Sequence, residues 1–250
     1  MIDLRQFKPD SDLLKDRAIL VTGAGRGIGR VAALTLAKHG ATVILHGRDV
    51  AKLESLYDEI EAAGGAQPTI LPLDLAGARD RDFENLALAI ESQLGRLDGI
   101  LHNASHFDHL GPLDQQRLDE WLVSLRVNLA VPFALTRACT YLLKNAPDAA
   151  VVLTAETHAL QPKAYWGSLA VAKSGLLALA TIQAQEWEPH AHLRINVVVP
   201  GPVDVPQRRK THPGEAREAR AAPEALMPAY LYLLGPDSRG VSGQVVQAQD

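Results

Sequence analysis

Short apolar runs rich in β-branched residues alternate along this chain with longer segments of helical periodicity. Runs that are apolar on both faces are typical of a parallel sheet buried between helices. The pattern predicts an α/β fold, a single doubly wound domain with a parallel sheet of about seven strands and helices on both faces. The predicted strands are AILVT at 18–22, TVILH at 42–46, TILPL at 69–73, DGILH at 98–102, AAVVLTA at 149–155, LRINVVV at 193–199 and GQVVQA at 243–248.

Three further segments depart from the simple alternation. Two long helical stretches, about 114–144 and 167–189, are unusually rich in Ala and Leu, and the second is apolar on more than one face. Such a helix is buried in the core or against another subunit, so we expect a homo-oligomer, a dimer or a tetramer. The segment 202–223 is polar, rich in Pro and Arg, and without apolar period. It is either a solvated loop or a lid over a substrate site.

Composition narrows the possible functions. A net charge of −4 over 250 residues argues against a nucleic-acid partner. The single cysteine, Cys139, excludes a disulfide framework and multi-cysteine metal sites. The sequence contains no apolar core of a signal peptide, and no stretch approaches the ~18–20 apolar residues needed to span a bilayer, so we expect a cytoplasmic protein without a membrane partner. His102, His106 and His109 fall across a strand end and a loop, so no metal site is expected.

A glycine-rich motif directly follows the first predicted strand and opens the first helix. The motif is TGAGRGIG at 22–29. Glycines there let the backbone turn tightly and approach a pyrophosphate, which faces the helix N-terminus. The context therefore predicts a dinucleotide site. Its candidate binding residues are Gly23, Gly25, Arg26, Gly27, Ile28 and Gly29.

The end of the second strand indicates the type of dinucleotide. An acidic residue there would bind the adenosine 2′-hydroxyl of NAD, but Gly47 occupies that position and Arg48 follows it. Arg26 can reach the same corner, and two guanidinium groups suit a 2′-phosphate. NADP(H) is therefore favoured over NAD(H). We expect the neighbouring Asp49 to cap the next helix.

Further motifs extend over essentially the whole chain. They are LDL at 73–75, HNAS at 102–105, RVNL around Asn128, WGSLAVAK at 166–173 and VPGPV at 199–203. Together with the glycine motif they resemble the short-chain dehydrogenase/reductase family, in particular a bacterial oxidoreductase subgroup. The resemblance implies one NAD(P)-binding Rossmann-type domain over 1–250. It also implies cofactor contacts from Asp74, Leu75, Asn103, Ala104, Lys173, Pro200, Gly201 and Val203.

The same resemblance identifies the positions of the family's reaction chemistry. The family uses a serine, a tyrosine and a lysine four residues after that tyrosine, supported by an asparagine. Asn128 and Lys173 are retained, whereas Leu169 stands at the tyrosine position and Glu156 at the serine position. Leucine cannot exchange a proton, and a carboxylate repels the negative charge that develops on a reduced carbonyl. The usual mechanism is therefore not expected.

Two functions remain open from the sequence. The first is a pseudoenzyme that binds NADP(H) and acts as a sensor or partner subunit. The alternative is an active oxidoreductase on a small carbonyl or alcohol, with Glu156 or a water as proton donor. Neighbouring residues offer little replacement, since we expect Tyr165 to be a loop or packing residue and His158 to be solvated. Glu156 could instead pair with Lys173 in a structural role.

Overall fold

A computed structural model describes residues 4–249, so the ends of the predicted 1–250 domain lie outside the described residues. Its centre is a seven-stranded sheet in the order β3-β2-β1-β4-β5-β6-β7, and every neighbouring pair is parallel. The predicted α/β fold and all seven predicted strands are confirmed. The strands are β1 (Ala18–Thr22), β2 (Thr42–Gly47), β3 (Thr69–Pro72), β4 (Gly99–His102), β5 (Ala149–Thr154), β6 (Leu193–Val199) and β7 (Val245–Gln247).

Helices cover both faces of the sheet because the strands carry apolar side chains on both sides. One face packs against α3, α5 and α7, and the other against α1, α2 and α9. The helices are α1 (Gly27–Lys38), α2 (Val50–Ala62), α3 (Asp80–Leu94), α4 (Leu118–Leu125), α5 (Val131–Asn145), α6 (Thr157–Leu160), α7 (Gly167–Glu186), α8 (Pro206–Thr211) and α9 (Met227–Leu234).

The two Ala- and Leu-rich stretches are helical, with different ends from those predicted. The first begins at Leu118 rather than near 114, and a π-helical segment, Arg126–Ala130, joins α4 to α5. The second ends at Glu186. Contrary to the sequence expectation, Leu118–Asn145 and Gly167–Glu186 are long and apolar enough to span a bilayer by length and composition alone. Core helices pass the same test, and both helices pack on the sheet.

The segment 202–223 is ordered rather than an irregular loop. It contains α8, and Val203 forms a parallel bridge with Ala221 that closes the segment on itself. Glu215 accepts hydrogen bonds from Arg208 and Arg220, and the bond from Arg208 lowers the pKa of Glu215 to about 2. These ion pairs hold α8 against the rest of the segment. Its role as a lid stays a prediction.

A buried charge cluster joins the amino ends of three strands. Asp148 accepts hydrogen bonds from Arg17 at 2.6 Å and from Arg239 at 3.2 Å, and it also binds Arg194. Arg17 donates further to the carbonyl of Asp98. Burial alone would raise the pKa of Asp148, but the hydrogen bonds from Arg194 and Arg17 hold it well below its usual range. The cluster ties β1, β5 and β6 together at the edge opposite the glycine motif.

Candidate cofactor and active site

A cavity of about 410 Å³ opens at the carboxyl edge of the sheet. Its walls are the glycine-rich turn, the ends of β2 to β5, and the first part of segment 202–223. In α/β sheets this edge is where ligands bind. The cavity brings together all the predicted cofactor residues except Gly29, which packs against the carbonyl oxygen of Gly23. Those lining it are Gly23, Gly25, Arg26, Gly27, Ile28, Arg48, Asp74, Leu75, Asn103, Ala104, Lys173, Pro200, Gly201 and Val203.

The glycine-rich turn packs directly on the chain after β4. Gly23 has φ +69°, and a Cβ at this position would lie 2.9 Å from the Cα of Ala104. A Cβ on Gly29 would lie 2.3 Å from the carbonyl oxygen of Gly23 and 2.5 Å from the side-chain nitrogen of Asn103. Thr22 secures the same contact, because its hydroxyl accepts from the backbone N–H groups of Asn103 and Ala104 at 3.0 Å. The turn forms a cradle that a side chain at Gly23 or Gly29 would fill.

Positive charge surrounds the end of β2. Arg26 and Arg48 are exposed, and neither side chain has a hydrogen bond or ion pair within the described part of the chain. Asp49 caps α2, as predicted, by accepting from the backbone N–H of Lys52 at 3.3 Å. Its carboxylate also pairs with the Lys52 ammonium, which lowers the pKa of Asp49. The free guanidinium groups therefore dominate this corner of the cavity.

Replacing Arg48 with alanine is expected to weaken NADPH binding by about 10- to 100-fold and to leave NADH binding unchanged. A hydrogen bond to a charged group contributes about 1.5–3 kcal/mol, and NADH lacks the 2′-phosphate that would receive it. Titration calorimetry with both nucleotides measures the ratio. Arg81→Ala, an exposed change on α3, is the matched control. Equal losses for the two nucleotides would contradict the assignment of Arg48.

Asn128 lies in the π-helical segment and is fully buried. Its side-chain oxygen accepts from the hydroxyl of Ser105 at 2.9 Å and from the N–H of His106 at 3.1 Å. Its amide nitrogen donates to the carbonyls of His106 and Ser124. Asn128 does not line the cavity, although its neighbour Val127 does. It therefore positions the chain after β4 against α4.

Lys173 lies on the first half of α7 and is buried against the end of β5. Its ammonium donates to the carbonyl oxygen of Thr154 at 2.8 Å. Burial lowers the pKa of Lys173 to about 8, and the nearby Glu156 carboxylate opposes part of that shift. At neutral pH the Lys173 side chain is therefore a cation, and it becomes neutral as the pH rises through about 8.

NADPH affinity is expected to fall as the pH rises through about 8, by about 3- to 10-fold between pH 7 and 9.5. The reason is that the Lys173 ammonium, which attracts the anionic nucleotide, becomes neutral over this range. Calorimetric titrations at several pH values measure the effect. Lys173→Met should bind NADPH weakly and without this pH dependence. The exposed Lys38→Met is the control, and an unchanged pH profile in Lys173→Met would contradict the prediction.

Glu156 is paired with a histidine two residues further along the chain. It caps α6, accepting from the backbone N–H of His158 at 2.8 Å, and its carboxylate lies 2.8 Å from Nδ1 of the same residue. Within the described residues Glu156 forms no direct ion pair with Lys173, and it acts on the lysine only through the charge that raises its pKa. His158 is buried and stacks on Trp166 with ring centroids 3.7 Å apart. The expectation that His158 is solvated is therefore also wrong.

Leu169 does not face the cavity. It is 2% exposed and packs with Trp166 and Ala170, beside Phe107 and Leu110. The indole of Trp166, rather than the side chain of Leu169, lines the cavity near Lys173.

Tyr165 precedes α7, which begins at Gly167, and is a loop residue as predicted. It has φ +74° and is 59% exposed. Within the described residues, none of the tyrosines lines the cavity.

Comparison with known proteins agrees with the fold and the cavity. The family model described as short chain dehydrogenase matches residues 17–216. The chain belongs to this family. It is 37% identical to the uncharacterized oxidoreductase YciK of Escherichia coli K12, over 97% of this chain and 96% of that protein.

Solved structures of the family superpose closely on this short-chain dehydrogenase. A short chain dehydrogenase structure from Pseudomonas syringae is 40% identical, with a TM-score of 0.95, and covers 98% of this chain and 99% of that one. Another from Escherichia coli CFT073, described as complexed with NADPH, is 38% identical with a TM-score of 0.93. It covers 97% of this chain and 100% of its own. The likeness therefore extends over the whole domain.

In this short-chain dehydrogenase, His102, His106 and His109 do not come together at one site. His102 is buried and bonded to Thr136 at 2.8 Å, whereas His106 pairs with Asp108 at 2.9 Å and His109 is exposed. Burial lowers the pKa of His102 to about 3. Over residues 4–249 no group of three His, Cys, Asp or Glu side chains could hold a metal ion.

Sequence reasoning missed several residues of the cavity wall, and two of them carry nitrogen-containing rings. His46 lines the cavity from β2, and neither of its buried ring nitrogens has a hydrogen-bond partner among residues 4–249. Burial lowers the pKa of His46 to about 4, so its ring is neutral. Trp166 is the second. A polar residue inside an otherwise apolar strand could have indicated His46, whereas only the packing of α7 on α6 shows the position of Trp166.

Proposed function

We propose that this protein binds NADP(H) and does not use the serine and tyrosine chemistry by which its family reduces carbonyls or oxidises alcohols. The main observation behind this proposal is the cradle between Gly23, Gly29 and Ala104, which lies beside two guanidinium groups that have no partner among the described residues. Its backbone N–H groups suit a pyrophosphate, and Arg26 with Arg48 suits a 2′-phosphate better than an unphosphorylated ribose. The NADPH complex of the similar Escherichia coli CFT073 protein supports this proposal.

The family resemblance implies which residues make the remaining contacts with the cofactor. Asp74 and Leu75 would hold the adenine, and Asn103 and Ala104 would line the middle of the cofactor. Lys173 would bind the ribose next to the nicotinamide. Pro200, Gly201 and Val203 would flank the nicotinamide itself. When bound, the cofactor supplies or accepts a hydride at that ring.

Within the described residues, neither position that corresponds to the family's serine and tyrosine carries a hydroxyl group. A carbonyl that accepts a hydride becomes an alkoxide, which needs a nearby hydrogen-bond donor and a proton. Leu169 packs away from the cavity, and the Glu156 carboxylate would repel the alkoxide. Toward carbonyls and alcohols the protein would then be a pseudoenzyme, with the role of a sensor or a partner subunit.

Two measurements test the proposal together. Calorimetry should show NADPH binding that is at least about tenfold tighter than NADH binding. Oxidation of NADPH against a broad panel of ketones and aldehydes should not exceed the rate without protein. Steady turnover of any member of the panel would overturn the loss of carbonyl chemistry. Absence of NADPH binding would overturn the proposal as a whole.

The second candidate is an active oxidoreductase with an unusual proton donor. It is favoured by the contact of the cavity-lining Glu156 with the imidazole ring of His158. For carbonyl reduction, Glu156 or a water held by it would have to deliver the proton. Turnover would then rise as the pH falls and would be lost in Glu156→Gln. Zero turnover at every pH would exclude this candidate.

We also propose a homo-oligomer formed through α5 and α7. Val171 and Ile182 on α7 are 51% and 54% exposed, and Phe133 on α5 is exposed as well. Exposed apolar side chains on neighbouring helices are typical of a subunit interface. Light scattering of the purified protein tests this, and a monomer would contradict it. A small-molecule ligand and a cytoplasmic location, without nucleic-acid or membrane partners, stay predictions.

A further inference from the structure

The cavity wall beside Lys173 combines a carboxylate with an indole. Glu156 and Trp166 both line the cavity, and His158 lies between them, bonded to the first at 2.8 Å and stacked on the second at 3.7 Å. The imidazole ring of His158 therefore holds both Glu156 and Trp166 in position. An anionic oxygen attracts an organic cation, and the part of the Trp166 indole that His158 leaves uncovered adds an aromatic surface beside it.

The ammonium of Lys173 is directed elsewhere. It donates to the carbonyl oxygen of Thr154, and no ion pair joins it to Glu156 within residues 4–249. The Glu156 carboxylate accepts from the backbone N–H of His158 and makes its only other described contact with that ring. Its negative charge is thus available to a ligand in the cavity.

The charges that form during hydride transfer distinguish two classes of hydride acceptor. Hydride transfer to a neutral carbonyl creates an alkoxide and a cationic nicotinamide, so two opposite charges form and a proton must follow. Hydride transfer to an iminium ion only moves a positive charge from the substrate to the nicotinamide. The total charge in the cavity stays the same, and no proton is needed at the moment of transfer. Within the described residues, a cavity lined by a carboxylate and by no tyrosine suits the second reaction.

We propose that the hydride acceptor of this site is an iminium ion, a C=N⁺ group of a protonated or N-alkylated imine, opposed by Glu156 and in contact with Trp166. The substrate carbon accepts a hydride, the new C–H bond replaces the C=N π bond, and that electron pair becomes the nitrogen lone pair of the amine. The positive charge leaves on the oxidised nicotinamide. This inference rests on the proposed NADP(H) binding and names the substrate class of the same site.

A binding measurement tests the cation preference without turnover. Choline and its neutral isostere 3,3-dimethyl-1-butanol are titrated into the NADPH-saturated protein, and binding is followed by calorimetry. We expect choline to bind at least about tenfold more tightly. Glu156→Gln, which keeps a cap oxygen, should remove the preference, and Trp166→Leu should reduce it. The exposed Glu84→Gln on α3 should retain it.

A turnover measurement uses a permanently charged substrate and its matched ketone. N-Methyl-3,4-dihydroisoquinolinium and 1-tetralone are offered with NADPH, and the amine product is measured by mass spectrometry against a protein-free control. We expect the iminium ion to react above the control rate and the ketone not to react. Glu156→Gln should lower kcat/KM for the iminium ion by about 10- to 100-fold, with an unchanged NADPH Kd.

The outcomes distinguish this inference from the proposed function. NADPH binding without cation preference, or with iminium reduction at the protein-free rate, overturns the iminium inference and leaves the proposed function standing. An unaffected Glu156→Gln variant overturns the role of the carboxylate. Reduction of 1-tetralone as fast as the iminium ion overturns both. Absence of NADPH binding also overturns both.

Discussion

Replacing Asp148 with asparagine is expected to lower the free energy of unfolding by about 3–5 kcal/mol. The change removes the negative charge that Arg17 and Arg194 share, and both guanidinium groups are buried. Two uncompensated buried cations would remain at the amino ends of β1 and β6. Denaturant unfolding, followed by circular dichroism, measures the loss. Asp237→Asn, at an exposed position near the same edge of the sheet, should cost less than about 0.5 kcal/mol.

The same carboxylate should make stability sensitive to acid. Because the pKa of Asp148 is lower in the fold than in the unfolded chain, its contribution is fully present above about pH 4. It is lost as the pH falls toward the folded-state pKa, where the native carboxylate is protonated. The difference in stability between the native protein and Asp148→Asn should therefore shrink in acid. An equal difference at pH 7 and in strong acid would contradict this account.

Replacing Gly29 with alanine is expected to weaken NADPH binding by about 10- to 100-fold. The new Cβ would lie 2.3 Å from the carbonyl oxygen of Gly23, so the glycine-rich turn must move away from α1. Such overpacking costs about 1–3 kcal/mol, and here the displaced atoms are the backbone that would bind the pyrophosphate. Calorimetry with NADPH measures the loss, and thermal unfolding shows whether the domain still folds.

Gly77→Ala is the matched control for this change. Gly77 follows β3 on the same edge of the sheet, and a Cβ there would meet no atom within 4 Å. Its NADPH affinity should stay within about twofold of the native value. Full affinity in Gly29→Ala would show that the turn does not form the pyrophosphate site. That result would remove the main support for the proposed cofactor.

Local patterns in the sequence were enough for the order and type of the main elements. The strand runs are apolar on both faces because the sheet is covered on both sides, and this property is visible in each run by itself. The glycine motif was equally readable, since the close approach of Gly29 to Gly23 leaves no room for a side chain. Local patterns do not fix the residues at which helices and strands begin and end. The start of α4 at Leu118 depends on turns whose conformation several residues share.

The spacing of residues along the sequence predicts only part of the chemistry near Lys173. Counting positions related Glu156 and Leu169 to the family's serine and tyrosine, but it could not show where these side chains point. Leu169 packs behind Trp166, and Glu156 binds His158 instead of Lys173. These choices depend on how α6 and α7 pack at the end of β5. Spacing along one helix contains no information on that contact.

The sequence by itself determined the family, the strands of the sheet and the glycine-rich turn, because each depends on a contiguous motif or a local period. The tertiary structure alone decided which side chains form the inner wall of the cavity and how the buried charges are paired. His46 and Trp166 reach that wall, and Asp148 meets Arg17 across 131 positions, only after distant strands and helices pack together. Such pairings are fixed by the topology of the sheet, and no local pattern in the sequence records them.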